Sequence, residues 1–433
     1  MREKAREVFE EAIKVAKRIE DEKDRSRALR EIAIGMANVG ELERAIEVVE
    51  EIGDAWRCSQ ALAVIAAKMA KVGEFERAIE VAEGIEGAWF RSEALAWIAE
   101  EMAKVGEFER AIEVVEGIED AWWCSWALGE IAEGMTKVGE FERAMEVAEG
   151  IEKADLRSRA LVWIAEGMAK VGRGEEAREV FEVAIEVAKR AKGEWWRSSA
   201  LKGIAEGMAN VGEFERAIKV VKKIEIAGLR LKALAVIATK MAKVGKFERA
   251  IEVAKGIEDA EWRSEALREI AEDMAKVGMV EKAREVFEEA MEVAKGIEDA
   301  GSRSKALAVV AAEMAKVGMV EKAEEVFEVA IKVAIRIEDE RNCSEALAEI
   351  AEEMAKVGMV EKARKVFEEA IKVAEGIEDE WFRSEALREI ATEMAKAGEF
   401  ERAIKVAKGI EDEWFRSEAL REIATEMAKA GEF

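Results

Sequence analysis

The sequence contains no proline, no histidine and no tyrosine among its 433 residues. Average usage would supply about 20 prolines at this length, so the missing residue types indicate a short unit copied many times. Without histidine, neither a serine–histidine triad nor an imidazole-based zinc site can form. One glutamine and three asparagines among many charged residues are typical of thermostable, hyperthermophile proteins, and equally of a designed or consensus-derived sequence.

Long apolar runs and clusters of positive charge are missing as well. No apolar run reaches the roughly 18 residues that span a bilayer, and residues 1–21 alternate charged and apolar residues, unlike a signal peptide. We therefore expect a cytoplasmic protein with no membrane partner. The 69 basic residues are interleaved with 95 acidic ones, giving a net charge of −26. Phosphate binding needs clustered Lys and Arg, so the sequence predicts no nucleic-acid partner.

A repeated unit accounts for the whole chain. Glycines preceded by Lys-Val, Asn-Val or Lys-Ala recur at intervals of 33 residues, with four intervals of 40. A fixed period in this range is the signature of a solenoid. The glycines stand at positions 40, 73, 106, 139, 172, 212, 245, 278, 318, 358, 398 and 431.

Each unit is predicted to contain two helices, helix A and helix B. In the segment 379–398, apolar residues recur at three- and four-residue spacing, which predicts one amphipathic helix A. Asp379 suits the N-cap and Gly398 the left-handed C-terminal position. Helix B follows at 399–409 and again closes on glycine. Twelve A helices are predicted in all.

The 40-residue units differ from the others only in helix B. Their seven extra residues add close to two helical turns, about 10 Å, and so preserve the apolar face. We expect one continuous α-solenoid over 1–433, with short B helices mainly in 41–172 and 213–278. The longer second helices are expected at 1–20, 173–192, 279–298, 319–338 and 359–378.

The unit resembles the tetratricopeptide repeat. That family combines apolar and small residues in the first helix, a glycine between the helices, and an Ala–aromatic–Ala pattern in the second. The matching residues here are Leu267, Ile270, Ala271, Met274, Gly278, Ala283, Phe287 and Ala290. The units of 33 or 40 residues and the absence of proline depart from the family pattern. The resemblance implies a superhelical, all-α solenoid of antiparallel helix pairs with about 12 repeats and a concave ligand-binding groove. Other helical-hairpin solenoids are the alternative fold.

The serines, the cysteines and most methionines, which could suggest a catalytic or metal site, stand at fixed positions of the repeat. A serine occupies one position in eleven units, and Cys58, Cys124 and Cys343 precede it where most units have arginine. The cysteines lack metal-ligand spacing, and the serines lack a histidine base. Twelve of the 18 methionines fill one position of the apolar stripe. The sequence therefore predicts no enzyme, no metal and no cofactor.

Most tryptophans also belong to the repeat. We name the position three before the serine the first aromatic position, and the next one the second aromatic position. Such a recurring pair indicates a seal between successive hairpins. The first position holds Trp56, Trp89, Trp122, Trp195, Trp381 and Trp414, and the second holds Phe90, Trp123, Trp196, Trp262, Phe382 and Phe415.

Three tryptophans break the pattern. Trp126 stands one residue after the serine, and Trp97 and Trp163 stand five after it, where other units carry mostly charged residues. These positions share one face of helix A, in three consecutive repeats. We expect the three tryptophans to form an exposed binding patch in the groove, although drift within a wide groove would give the same pattern. Gly129 and Val162 keep its floor small and apolar, and Glu93, with Glu100 and Glu133, favours a basic ligand.

The sequence thus predicts a non-enzymatic scaffold whose concave groove binds a protein or peptide segment, with Trp97, Trp126, Trp163, Glu93, Gly129 and Val162 as candidate site residues. Two alternatives stay open. Because the sequence begins on a helix B and stops just past a helix A, copies could associate head to tail as a structural protein. A designed or consensus scaffold without a natural ligand would have the same sequence features.

Overall fold

The computed structural model describes residues 9–10 and 12–430, and all regular secondary structure in that part is helical. Twelve A helices of 17 or 18 residues alternate with eleven B helices. The A helices are α1 (Glu22–Asn38), α3 (Ala55–Lys71), α5 (Ala88–Lys104), α7 (Ala121–Val138), α9 (Ala154–Lys170), α11 (Glu194–Asn210), α13 (Ala227–Lys243), α15 (Ala260–Lys276), α17 (Ala300–Lys316), α19 (Glu340–Lys356), α21 (Glu380–Lys396) and α23 (Glu413–Ala430).

The B helices have the two predicted lengths, with 8 to 10 residues in the short form and 15 or 16 in the long form. The short ones are α2 (Leu42–Val49), α4 (Phe75–Glu83), α6 (Phe108–Glu116), α8 (Phe141–Glu149), α12 (Phe214–Val221), α14 (Phe247–Lys255) and α22 (Phe400–Gly409). The long ones are α10 (Gly174–Ala188), α16 (Val280–Lys295), α18 (Val320–Ala334) and α20 (Val360–Glu375). Of the long helix predicted at 1–20, residues 1–8 and 11 lie outside the described residues, and residues 9–10 and 12–16 are helical.

Local sequence explains where the helices begin and end. The Asp379 carboxylate caps α21 by accepting hydrogen bonds from the backbone N–H groups of Trp381 and Phe382, at 2.9 and 3.1 Å. At the other end of a helix A, Gly139 has φ 88° and closes α7 with bonds from its N–H to the carbonyls of Met135 and Thr136. This left-handed conformation carries a steric cost for every residue with a Cβ, which is why glycine recurs there.

Most A helices pack on the next helix A and on the helix B that follows, as α5 packs on α7 and on α6. The repeated methionine fills the core, and Met36, Met69 and Met102 are all fully buried. The prediction of an all-α solenoid of about 12 helix pairs is confirmed. Contacts between residues group the chain into two units, Met1–Arg230 and Leu231–Phe433, with the division inside α13. One continuous solenoid over 1–433 stays a prediction.

The repeated serine is a junction residue, and its bonding depends on the helix B that follows. In four repeats where that helix is short, the hydroxyl accepts a hydrogen bond from the loop before the next helix A. The Ser92 and Ser125 oxygens accept the N–H groups of Asp120 and Lys153, at 3.2 and 3.3 Å. Where the helix is long, the hydroxyl instead donates: Ser344 donates to the Arg341 carbonyl of its own helix at 2.8 Å, and Ser264 donates to the Ala290 carbonyl of the following helix B at 3.0 Å. The serine is therefore a structural residue in these repeats.

Candidate functional site

The two aromatic positions form contacts between successive A helices. In three repeats, an indole at the first position meets an aromatic ring at the second position of the next helix A, edge to face. The ring centroids are 5.5 Å apart for Trp56 and Phe90, and 5.7 Å for Trp89 and Trp123. The second-position rings Phe90 and Trp123 are buried, whereas Trp56 and Trp89 remain more than half exposed. We call this row of contacts the aromatic ladder.

Trp123 is the centre of a five-indole cluster in α5 and α7. Its ring contacts those of Trp89, Trp97, Trp122 and Trp126 at centroid distances of 4.8 to 6.1 Å, all edge to face. The cluster brings two of the predicted anchors, Trp97 and Trp126, onto one ring. Both are half-buried. The expectation that they are exposed is therefore wrong, because part of each ring packs against Trp123.

The third predicted anchor, Trp163 of α9, is also half-buried and not exposed as expected, and it lies apart from this cluster. The guanidinium of Arg159 sits over the Trp163 ring, 4.9 Å from its centroid. Within the described residues, no ring contact joins Trp163 to Trp97 or Trp126. Of the remaining candidates, Glu93 is half-buried, whereas Gly129 and Val162 are buried. Their assignment to a binding site stays a prediction.

Glu130 of α7 occupies the repeat position held by Trp97 in α5 and Trp163 in α9. Burial raises the pKa of Glu130 to about 7. The Arg159 guanidinium lowers that pKa from 3.6 Å away, and nearby carboxylates raise it. Glu389 holds the same position in α21, where burial raises its pKa to about 6. The position is poorly solvated, which explains why apolar side chains are tolerated there.

We expect Glu130→Gln to remove part of the pH dependence of stability. The native state keeps the Glu130 proton up to a pKa of about 7, whereas the unfolded chain releases it near 4.5. The stabilising effect is therefore complete below the lower value and is lost as the pH rises through the higher one. Between about pH 5 and pH 8, the free energy of unfolding should fall on the order of 2 kcal/mol more in the wild type than in the variant. Urea titrations across that range measure it.

The control for this experiment is Glu116→Gln, which changes an exposed glutamate at the end of α6. Its stability should follow the wild type at every pH. A Glu130→Gln variant whose unfolding curve parallels the wild type over the same range would contradict the assignment of the raised pKa to Glu130.

The aromatic ladder is interrupted at α9. Asp155 and Leu156 stand at its two aromatic positions, where α7 has Trp122 and Trp123. Trp122 therefore has no ring to meet in the next repeat, and Trp196 of α11 has none to meet in the previous one. The exposed fractions of these two indoles are 37% and 47%, against 8% for Trp123.

A cavity of about 460 Å³ opens at this interruption, which we call the α9–α11 cleft. Its aromatic wall consists of Trp122, Trp163, Trp195 and Trp196. Gly203 of α11 lines it at the position that holds tryptophan in α5 and α9. A Cβ atom built on Gly203 would meet nothing within 4 Å. The missing aromatic pair and this missing side chain together create the open volume.

The charged groups in the cleft are unevenly satisfied. Lys202 forms an ion pair with Glu206 at 2.8 Å, and Glu166 accepts a hydrogen bond from the Asn210 amide at 3.0 Å. The Arg159 guanidinium stacks on Trp163 and pairs with Glu130 at 3.6 Å through Nη2, and its Nε atom is buried without a hydrogen-bond partner. Asp155 has no ion pair, and its carboxylate accepts no hydrogen bond within the described chain. The cleft can thus offer indole faces and a free carboxylate.

Sequence reasoning missed this cleft because it sought additional aromatic residues. The sequence signal for the cleft is a pair of missing side chains. The repeat of α9 lacks the aromatic pair that α7 and α11 have, and α11 has Gly203 at the position of Trp163. The recurring pattern predicts that Trp195 and Trp196 seal the junction between successive hairpins, yet both side chains are about half exposed.

In the described residues, no group of three or more His, Cys, Asp or Glu side chains could hold a metal ion. The three cysteines are free, and burial raises the pKa of each thiol, which disfavours the reactive thiolate. No described helix is long and apolar enough to cross a membrane.

The chain is an all-α protein of stacked helix-pair repeats, a helical-repeat solenoid. No protein-family model matches it, and no curated protein matches it. Among solved structures it is similar to Ton1535 from Thermococcus onnurineus NA1, with 20% identity over 92% of this chain and 99% of that one, and a TM-score of 0.28.

Two further structures are similar. A circular tandem repeat protein with novel repeat topology shares 16% identity over 94% of this chain and 96% of its own, with a TM-score of 0.26. A Rap protein complexed with Competence and Sporulation Factor shares 14% identity over 78% and 99%, with a TM-score of 0.28. Because all three TM-scores are low, the architecture described above rests on the contacts of this chain itself.

Proposed function

We propose that this protein is a non-enzymatic scaffold that binds a protein or peptide segment along the A helices α5 to α11, anchored in the α9–α11 cleft. The observation that carries the proposal is the cleft itself, where Trp122, Trp195 and Trp196 are 37%, 53% and 47% exposed around one cavity. Large exposed apolar side chains around a concave site are typical of interaction surfaces, and tryptophan is a frequent interface anchor.

Trp122 extends the binding surface beyond the cavity. Its ring lines the cleft and also contacts Trp123, at 4.8 Å between centroids, so the cleft and the five-indole cluster share one residue. Trp97 and Trp126 therefore belong to the same proposed surface, although they are half-buried. Four packed A helices at about 8–10 Å per step span about 24–30 Å. An extended segment of about eight residues would cover that length.

The test is to fill the cleft without disturbing the core. Gly203→Trp places an indole where a Cβ has open space, and Trp163 shows that α9 carries an indole at the same repeat position. Short peptides that bind the wild type, selected on a peptide array, should lose at least about tenfold in affinity for the variant, because a hot-spot pocket would be blocked. Fluorescence anisotropy measures the affinities.

The matched control is Val64→Trp, the same repeat position in α3, far from the cleft in sequence. Its peptide affinities should equal those of the wild type, and circular dichroism should show that both variants remain helical. Unchanged affinity in Gly203→Trp, or an equal loss in Val64→Trp, would remove the cleft as the binding site.

A further inference from the structure

Trp196 differs from the other aromatic residues at the second aromatic position. In the described structure, each of those rings meets an aromatic or cationic side chain from the preceding helix A. Phe90 and Trp123 meet indoles of the aromatic ladder. Among the described residues, the one ring contact of Trp196 is with Trp195, its neighbour in the same helix, at 4.7 Å between centroids. The residue that the ladder would place opposite Trp196 is Asp155.

Cations replace the missing ring elsewhere in this chain. The Lys232 ammonium lies over the Trp262 ring, 5.9 Å from its centroid, because α13 has no aromatic residue at the first position. Arg341 holds the first aromatic position of α19, and its guanidinium lies over Phe382 at 5.8 Å. The attraction between a cation and the ring quadrupole thus substitutes for edge-to-face packing in two repeats.

Trp196 is the exception for two reasons. Arg159, at the repeat position of Lys232, lies over Trp163 instead, and the first aromatic position holds Asp155, a carboxylate that cannot serve as the cation. The charge of Asp155 is also free, whereas the cations of the α9–α11 cleft are engaged: Lys202 with Glu206, and Arg159 with Trp163. A second cavity of about 400 Å³ adjoins the cleft and shares Trp122, Asp155 and Trp196 with it. These three residues therefore form the common wall of two openings.

We propose that Trp122, Asp155 and Trp196 form a site for one lysine or arginine side chain of the bound segment. The ligand's cation would lie against the indole faces, as Lys232 and Arg341 do within this chain, and would neutralise the Asp155 carboxylate. Indole faces combined with an acidic group are an established means of holding cations. The inference rests on the proposed function and adds the chemistry of the partner, a basic segment.

The second cavity supplies the competing ligand chemistry. Lys153, Arg190 and Lys192 line it together with Glu152, and they would attract an acidic group instead. All four side chains are exposed, so solvent weakens their fields relative to a group held between indoles. The experiment includes an acidic probe for this reason.

The direct test follows indole N–H resonances by NMR during titration with three probes, each blocked at the backbone: Nα-acetyl-lysine amide, Nα-acetyl-norleucine amide and Nα-acetyl-glutamate amide. The lysine probe keeps its charged ε-ammonium group. Resonances are assigned with single Trp→Phe variants. We expect the lysine probe to shift the Trp122 and Trp196 signals, the neutral probe of similar length to shift them far less, and Asp155→Asn to abolish the difference. The matched control is Glu261→Gln, a carboxylate at the first aromatic position of α15 whose next helix has a serine, Ser302, at the second. It should change nothing.

Equal shifts with norleucine, or larger shifts with glutamate, would overturn the cation site. The array peptides separate this inference from the proposed function. Replacing the key basic residue by norleucine should lower peptide affinity about 5- to 30-fold. If peptide affinity falls in Gly203→Trp but does not change when the basic residue of the peptide is replaced, the peptide-binding function stands and the cation site fails. If the lysine probe shifts Trp196 but no peptide depends on Gly203, the cation site stands and the peptide-binding function fails.

Discussion

Phe181→Ala should lower the free energy of unfolding of the first unit by about 3–5 kcal/mol. The Phe181 side chain is fully buried in the long helix α10, and its ring lies beneath α11, where a Cβ built on Gly207 would come within 3.4 Å of it. Removing the ring leaves a cavity under the helix that carries Trp195 and Trp196. Phe287 and Phe327 occupy the same position in α16 and α18 and are buried to the same degree.

Two measurements test this prediction, since repeat arrays do not always unfold in one step. Urea denaturation gives the overall loss, and hydrogen exchange read by mass spectrometry should show lost protection in α10 and α11. Val183→Ala on the same helix is the control, because Val183 is 42% exposed. It should cost less than about 0.5 kcal/mol. A Phe181→Ala loss no larger than the control loss would mean that the repeat collapses around the gap.

Gly167→Ala should be destabilising in the wild type and nearly neutral or stabilising when combined with Thr136→Ala. A Cβ on Gly167 of α9 would lie 2.3 Å from the Thr136 Cγ2 atom of α7, a contact that cannot persist. Other repeats have alanine at the position of Thr136, for example Ala70 and Ala103. The Cβ would otherwise approach only Phe141 closely, at 3.2 Å.

The double-mutant cycle should give a coupling energy of about 1–3 kcal/mol, the usual range for residues in contact. Gly203→Ala is the control, since its Cβ would meet nothing within 4 Å. Replacing this helical glycine should stabilise the protein by about 0.5–1 kcal/mol. Additive effects of Gly167→Ala and Thr136→Ala would show that α7 and α9 are not packed at this distance.

The fold could be predicted from the sequence because each level of the sequence supports the same structure. Periodicity located the A helices, Asp379 and Gly398 marked the ends of α21, and a seven-residue difference gave the two lengths of helix B. A repeated sequence also provides its own comparison, so Cys124 and the serines could be recognised as structural positions. These features depend on local spacing, which a sequence displays directly.

The candidate site could be predicted only in part, because its open volume comes from residues that are missing. The sequence predicts Trp163 as a candidate, and its half-buried side chain lines the cleft, while its role in binding stays a prediction. Trp97 and Trp126 were expected to be free, but they pack against Trp123 across and within helices, which spacing alone does not reveal. Asp155 and Gly203 carry no binding signal of their own in the sequence, because one is an ordinary polar residue and the other a glycine. Their importance depends on what the neighbouring helices carry.

The serine at each junction has a consequence for how this protein can vary. A hydroxyl is both donor and acceptor, so Ser125 can accept from the next loop while Ser344 donates to its own helix. In either case the buried group keeps a partner, which avoids a penalty of about 1–3 kcal/mol. The junction serine is therefore compatible with both lengths of helix B. Inserting or deleting two turns of helix B requires no change in the residue that joins one repeat to the next.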